Sequence, residues 1–177
     1  FLQRNAQAGY RLLPIAVNVS AVLAREDAPT QEYSEILEKH NISARMLEIE
    51  LTETAVVSEY DRMKRLLSSF QSDGMQTTLD DFGAGGSLLN NMVDIPVNTI
   101  KLDKLFLTRC SSNARGTDFL REVVHLVKRL GYNVICEGIE TEEQVQLLRS
   151  LDCDGAQGFW FSKAIPAEEF ERRYLCD

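Results

Sequence analysis

The sequence lacks the cysteine and histidine patterns that identify zinc-binding and disulfide-rich proteins. Its four cysteines, Cys110, Cys136, Cys153 and Cys176, are widely separated and form no CxxC pair. Neither a zinc ribbon nor a dense disulfide framework is therefore indicated, and a reducing cytoplasm is the expected compartment. The two histidines show no metal-binding spacing and are interpreted as structural residues.

Long apolar runs and an excess of positive charge are also absent. No stretch approaches the roughly 20 apolar residues that span a bilayer, and no signal peptide is visible at Phe1; a membrane tether outside this segment is left open. The net charge is -8, from 27 acidic and 19 basic residues. This balance argues against a surface that binds DNA or RNA by neutralising phosphates. A small anionic ligand stays compatible with it if a metal supplies the positive charge.

The residues that are present have the composition of one folded domain. The chain has 177 residues, of which 44% are hydrophobic and 26% are charged, enough to bury a sizeable core. No repeat, low-complexity tract or linker marks a boundary, so residues 1–177 are predicted to form a single domain.

Six short apolar stretches alternate with helical patterns along the chain. The predicted strands are 13–19, 46–51, 76–81, 99–102, 133–137 and 155–161. Residues 118–130 carry apolar positions at helical spacing and are followed by Gly131, while Thr141 with Gln144 forms a capping-box pattern. Alternating strands and helices predict a parallel sheet with crossover helices.

The number of strand–helix units falls short of a closed barrel. A (β/α)8 barrel contains eight units in roughly 250 residues, whereas six are predicted here. Residues 1–9 have the pattern of a helix end and residues 159–175 that of a final strand and helix, so the deficit is expected at the front. We predict an α/β fold, a (β/α)8 TIM-type barrel whose front is missing, and a paired or swapped dimer that covers the open edge.

A polar residue ends each predicted strand. Parallel strands place their carboxyl ends on one rim, where the catalytic groups of βα barrels lie. Oxygen ligands without histidine suit Mg²⁺ or Mn²⁺ rather than zinc, and such ions usually serve phosphate chemistry. The residues concerned are Asn18, Glu50, Asp80 with Asp81, Lys101, Glu137 and Gln157.

Several of these residues have an ordinary structural interpretation when taken alone. Asp80 and Asp81 precede a glycine-rich stretch, 83–86, and are also typical of residues that cap a turn. At a strand end, however, the chain turns, and both carboxylates can then reach one cavity that holds two hard cations.

The predicted strand 46–51, which contains two glutamates, and Lys101 also have both a structural and a functional interpretation. Glu48 and Glu50 alternate with apolar residues, which fits an edge strand with a solvated acidic face, and Lys101 is placed to pair with Asp103. A shared rim favours the alternative, in which a metal offsets the cost of burying carboxylates and Lys101 balances charge or holds a water nucleophile. Glu137 is then positioned to accept a proton from metal-bound water.

Six ordered segments contain these polar residues: 18–20 (NVS), 50–53 (ELTE), 80–83 (DDFG), 101–103 (KLD), 137–141 (EGIET) and 157–159 (QGF). In order and spacing they resemble the motifs of the EAL domain family, which comprises bacterial cyclic-di-GMP phosphodiesterases and receptors. The match covers essentially the whole chain, and six ordered motifs are more specific than any single one.

The resemblance implies a βα barrel that hydrolyses cyclic di-GMP to linear pGpG with two Mg²⁺ or Mn²⁺ ions. Lys101 and Glu137 are then expected to orient and deprotonate the attacking water. The implied metal ligands are Asn18, Glu50 and Asp80 for one ion, and Asp80 with Asp81 for the other.

The resemblance also implies roles around this centre. Gln157 and Asp103 are expected to bind the substrate, and Glu53 is expected to anchor the loop that contains Gly83 and Gly85. A homodimer is implied, as are sensory or GGDEF domains in the full-length protein.

Two departures from the family pattern affect the expected activity. The Glu-Ala-Leu signature, which supplies a metal ligand, is not in this sequence, and Gly86 and Leu88 replace a tyrosine and a serine of the usual loop. The leading hypothesis is a phosphodiesterase segment with weak or no activity in isolation. The alternatives are a non-catalytic cyclic-di-GMP receptor or dimerisation module, and an unrelated metal-dependent βα-barrel hydrolase.

Overall fold

Parallel strands and helices alternate along the chain. The computed structural model describes residues 1–20, 22–23, 30–84 and 91–176. The strands are β1 (Ile15–Asn18), β2 (Leu47–Thr52), β3 (Gln76–Phe82), β4 (Thr99–Leu102), β5 (Asn133–Cys136) and β6 (Gly155–Ala156). The helices are α1 (Leu2–Gln7), α2 (Gln31–Lys39), α3 (Glu53–Ser58), α4 (Tyr60–Ser72), α5 (Lys104–Cys110), α6 (Ala114–Arg129), α7 (Glu142–Ser150) and α8 (Ala167–Phe170), with a 3-10 turn at Ala44–Met46 and a π-helical turn at Glu171–Leu175.

The six strands form one sheet in the order β1-β2-β3-β4-β5-β6, and every neighbouring pair is parallel. The sheet curls into a half-barrel covered by helices, with β1 and β6 as its outer strands. This confirms the predicted TIM-type barrel architecture. Because β2 lies between β1 and β3, the alternative interpretation of residues 47–52 as an edge strand is wrong.

The core lies between the sheet and the helices. Successive strand residues point to opposite faces, and the apolar set Ile49, Leu79, Ile100 and Val134 is fully buried in one hydrophobic cluster. Helices α4 and α6 contribute apolar side chains to the same cluster. The alternate strand residues face the concave side, which leaves that side for charged groups.

The predicted helix starts and stops are confirmed where local chemistry sets them. Thr141 accepts a hydrogen bond from Gln144 N–H, and Gln144 Oε1 accepts from Thr141 N–H, which completes the capping box of α7. Helix α6 contains most of the predicted 118–130 segment, and Gly131 follows it with φ +94°. The helix expected in residues 1–9 is α1.

The sixth strand is shorter than predicted, and its second half is not a strand. Only Gly155–Ala156 pairs with β5, whereas Phe159, Trp160 and Phe161 lie in a turn and are 64%, 46% and 52% exposed. Trp160 N–H donates to Ile139 O, which folds the chain over the end of β5. The final strand predicted within 159–175 is therefore wrong, although helix α8 and the π-helical turn follow.

In the part of the chain that the structure describes, no helix is both long enough and apolar enough to cross a bilayer.

Candidate active site at the carboxyl ends of the strands

Lys101 on β4 joins carboxylates from three other parts of the sheet. Its Nζ lies 2.6 Å from Glu137 Oε1, 3.0 Å from Glu50 Oε1 and 3.2 Å from Asp80 Oδ1. The lysine side chain is 6% exposed, and the three carboxylates are 10% to 18% exposed. The structure thus brings together four predicted site residues from β2, β3, β4 and the residue after β5.

The alternative interpretation in which Lys101 pairs with Asp103 is wrong. Lys101 has its ion pairs on the concave side, while Asp103 Oδ1 accepts hydrogen bonds from Leu105 N–H and Phe106 N–H and caps α5. In a regular strand, residues two apart such as Lys101 and Asp103 would face the same side of the sheet. Asp103 lies beyond the end of β4, however, and follows the turn of the chain into α5. The capping geometry therefore decides the direction of Asp103.

Charge and burial together set the protonation of the cluster. Burial opposes the charged form of Lys101, but its hydrogen bonds to Glu137 and Glu50 outweigh this and raise the pKa of the ammonium group above its usual value. Burial is also the main cause that raises the pKa of Glu137, partly offset by Lys101. Lys101 is therefore protonated at neutral pH and does not accept a proton. The carboxylate of Glu137 is the group of this pair that can accept one.

Asp80 and Asp81 reach the same cavity because β3 is irregular at its end. The pairing of β3 with β4 shifts register between Leu79 and Phe82, and Asp81 has φ +57°. Asp81 N–H donates to Asp80 Oδ1 at 3.0 Å. This left-handed residue turns the second carboxylate toward the first, so the two do not point to opposite faces of the sheet as in a regular strand.

Three of the carboxylates could hold a metal ion. Oxygen atoms of Asp80, Asp81 and Glu137 lie within 4.8 Å of one another. Burial and the neighbouring Asp80 raise the pKa of Asp81, as expected where like charges converge. An all-oxygen donor set of this kind fits Mg²⁺ or Mn²⁺. Glu50 is joined to the group through Lys101.

The loop after Asp81 is fastened by Glu53. Gly83 N–H donates to Glu53 Oε2 at 2.9 Å, and Glu53 is buried at the start of α3. Gly83 has φ +94°, and a Cβ there would lie 2.6 Å from the Phe106 ring. Glycine is therefore required at this position. The other glycine predicted in this loop, Gly85, lies outside the described residues.

Asn18 and Gln157 lie on the same rim but are exposed. Asn18 ends β1 in register with Glu50. Gln157 follows β6, and its backbone N–H donates to Cys136 O at 2.8 Å while its carbonyl accepts from Ile139 N–H. Both side chains are thus available to a ligand on the rim.

Two features of the site were not expected from the sequence. Thr78 Oγ1 donates to Glu48 below the cluster. Glu48, which precedes Glu50 in β2, is therefore hydrogen-bonded inside the half-barrel. Gly138 has φ +70°, and a Cβ there would lie 2.4 Å from the Lys104 side chain, which forms an ion pair with Glu140. The glycine directly after Glu137 is the sequence signal that could have indicated this close approach.

The chain matches the model of a known protein family, described as the EAL domain, over residues 1–164. It is 31% identical over 173 residues to the cyclic di-GMP phosphodiesterase NbdA of Pseudomonas aeruginosa, which covers 96% of this chain and 22% of that protein. The chain spans about a fifth of the length of the curated relatives it matches.

Solved structures are similar over the same length. The chain superposes on the PaMucR phosphodiesterase in complex with c-di-GMP with a TM-score of 0.85 and 27% identity, over 95% of this chain and 68% of that one. It superposes on Klebsiella pneumoniae BlrP1, in a manganese and cy-diGMP complex, with a TM-score of 0.81 and 26% identity, over 92% and 42% of the two chains.

Proposed function

The chain belongs to the EAL domain family, and we propose that it carries the catalytic centre of a phosphodiesterase that hydrolyses cyclic di-GMP to linear pGpG with two Mg²⁺ or Mn²⁺ ions. The observation that carries this proposal is the convergence of Glu50, Asp80 and Glu137 on Lys101 at the strand ends. Relatives named cyclic di-GMP phosphodiesterases and structures solved with that dinucleotide support the substrate.

The carboxylates supply the metal ligands. Asn18, Glu50 and Asp80 would hold one ion, and Asp80 with Asp81 would hold the other; the proximity of Asp80 and Asp81 supports their sharing of an ion. The ions, when bound, supply a nucleophilic water and stabilise the negative charge that develops on the phosphate.

Lys101 and Glu137 act on the attacking water. Glu137 accepts its proton, in keeping with a pKa raised by burial, and Lys101 holds Glu137 in place through the 2.6 Å contact. Because Lys101 stays protonated, it contributes charge and orientation rather than basicity.

The remaining predicted residues position the substrate and the loop. Gln157 donates its side-chain amide to a phosphate oxygen. Asp103 contacts the substrate in this proposal. It also holds the start of α5 next to the rim, because its side chain caps that helix. The hydrogen bond from Gly83 N–H to Glu53 holds the loop that follows Asp81.

Assembly and context complete the proposal. The exposed aromatic residues 159–161 at the β6 edge support a homodimer that covers apolar surface. We propose a cytoplasmic location for the domain. We also propose that it belongs to a larger signalling protein with sensory or GGDEF domains, because the relatives it matches are about five times longer and one of them is named an oxygen sensor protein.

A second candidate is a receptor that binds the dinucleotide without hydrolysis. The Glu-Ala-Leu triplet, which supplies one metal ligand in the family, is not in the given sequence. Loss of one ligand from a two-metal site is expected to reduce activity at least as much as the 10-fold to 100-fold effects of residues that only support ligands. The 177-residue chain is therefore proposed to hydrolyse cyclic di-GMP slowly or not at all when tested by itself.

One experiment separates the two candidates. The protein is incubated with Mn²⁺ and cyclic di-GMP, and the products are separated by chromatography, with Glu137→Gln as the variant that lacks the base. Formation of pGpG by the parent chain and its loss by at least 100-fold in Glu137→Gln supports the enzyme. Tight binding of cyclic di-GMP without pGpG in either protein fits a receptor and also an enzyme segment that lacks one metal ligand, and the same assay on the full-length protein then separates them, because only the enzyme forms pGpG there. Neither binding nor product contradicts both candidates.

A further inference from the structure

Two cysteines lie in contact on the outer side of the sheet, behind the strand-end cluster. Cys136 ends β5 and is fully buried, and Cys153 is partly exposed in the connection between α7 and β6. Their sulfur atoms are 3.8 Å apart, and both thiols are free. Cys136 precedes Glu137 and, by strand alternation, faces the helices rather than the carboxylate cluster.

The connection that carries Cys153 is fixed against β5 by its neighbours. Asp154 N–H donates to Val134 O at 2.9 Å, and Asp154 Oδ2 accepts from Val134 N–H at 2.8 Å. Lys128 Nζ lies 2.8 Å from Asp152 Oδ2 and 3.1 Å from Asp154 Oδ1. The residues on both sides of Cys153 are therefore held, and the proximity of the two thiols is built into the fold.

We propose that Cys136 and Cys153 form a reversible redox site that hydroperoxides oxidise to an intramolecular disulfide. A disulfide requires the sulfur atoms to approach from 3.8 Å to about 2.0 Å. The ring that closes contains Glu137, the connection to α7 and α7 itself, and no strand lies between the two cysteines.

The two thiols have different parts in the reaction. Cys153 is the accessible one, and the hydrogen bond from the Cys136 thiol lowers its pKa, which favours the nucleophilic thiolate. Its sulfur attacks the peroxide, breaks the O–O bond and becomes a sulfenic acid, with release of one water from hydrogen peroxide. The Cys136 sulfur then displaces the sulfenic oxygen, which leaves as a second water, and the S–S bond forms. Two thiols are oxidised and one peroxide is reduced.

The disulfide would change the backbone around two residues at the carboxyl-end rim of the sheet. The carbonyl of Cys136 accepts the hydrogen bond from Gln157 N–H, and the next residue, Glu137, donates its N–H to Leu102 O. A change in the backbone of Cys136 therefore reaches the amides of two rim residues directly.

Peptide mapping tests the bond. The reduced protein carrying Cys176→Ser, which removes the exposed thiol, is treated with hydrogen peroxide, denatured, alkylated and digested. Trypsin cleaves after residues 129, 149 and 163, so the two cysteines fall in different peptides, 130–149 and 150–163. We expect these peptides to become joined with the loss of two hydrogens, at least ten times faster than Cys110 is oxidised, and to separate again with dithiothreitol.

The control is Cys153→Ser, in which Cys136 should stay fully alkylatable after the same treatment. Unlinked peptides with a sulfinic acid at Cys153, or oxidation of Cys110 at the same rate, would overturn the proposal. A second readout uses backbone amide resonances: those of Glu137 and Gln157 should shift on oxidation and return on reduction. A linked protein with both resonances unchanged would refute the coupling to the rim.

Discussion

Lys101 determines the charge balance of the strand-end cluster. Three carboxylates within 3.2 Å of one ammonium group would repel one another strongly in its absence, since all four side chains are largely buried. The lysine is thus a structural requirement of the metal-free protein and a fixed positive charge beside any bound ion.

Replacing this lysine should destabilise the metal-free protein. We expect Lys101→Met to lower the free energy of unfolding by about 3 kcal/mol, because removal of one partner leaves buried carboxylates without compensation. Added Mn²⁺ should recover part of the loss, since the ion supplies the missing positive charge. Urea unfolding followed by circular dichroism, with and without Mn²⁺, measures both effects.

Lys104→Met is the matched control for this change. Lys104 forms an ion pair with Glu140, but the two side chains are 51% and 47% exposed, so its loss should cost no more than about 0.5 kcal/mol. Equal destabilisation by both substitutions would contradict the role assigned to Lys101.

At single positions, the sequence indicated which residues form the cluster but not how they meet. The repeated polar residues at strand ends were sufficient to select Glu50, Asp80 and Glu137. The partners of Lys101 could not be derived, because they depend on the register between strands that are distant in sequence. The left-handed backbone of Asp81 was equally hidden, since aspartate also adopts ordinary strand geometry.

At the scale of elements, predictions succeeded where local chemistry specifies the structure. The capping box of α7 and the buried pattern of β4 are encoded within a few residues. Residues 159–161 belong to an apolar stretch that predicts a strand, yet Gly158 contacts the backbone of Ile139 so closely that a Cβ would lie 2.1 Å from Ile139 O. This contact belongs to the turn that ends β6, and no short-range pattern reports it.

The cap of α7 gives a prediction at this scale. Thr141→Ala removes the side-chain acceptor for Gln144 N–H, and we expect a loss of about 1 kcal/mol in unfolding free energy. Thr108→Ala is the control, because Thr108 Oγ1 donates to the carbonyl of Lys104 within its own helix and the side chain is exposed. Urea unfolding compares the variants. If Thr141→Ala unfolds at the same urea concentration as Thr108→Ala, the cap does not stabilise the fold.

At the scale of the whole molecule, the parallel order of six strands explains why residues from positions 18 to 157 share one rim. Each strand follows a helix or loop on the outer side, so all carboxyl ends face the same direction. Strand count and order followed from the alternation of patterns in the sequence. The curl that brings β2, β3 and β5 around one lysine is a property of the assembled sheet.

Binding of Mn²⁺ to the metal-free protein tests the central claim most directly. Isothermal titration should show binding to the parent chain that is at least 10-fold weaker in Asp80→Asn, since Asp80 is assigned to both ions. Asp152→Asn, at an 87% exposed carboxylate on the far side of the sheet, should bind as the parent chain does. Equal affinity in all three proteins would contradict a metal site built from the strand-end carboxylates.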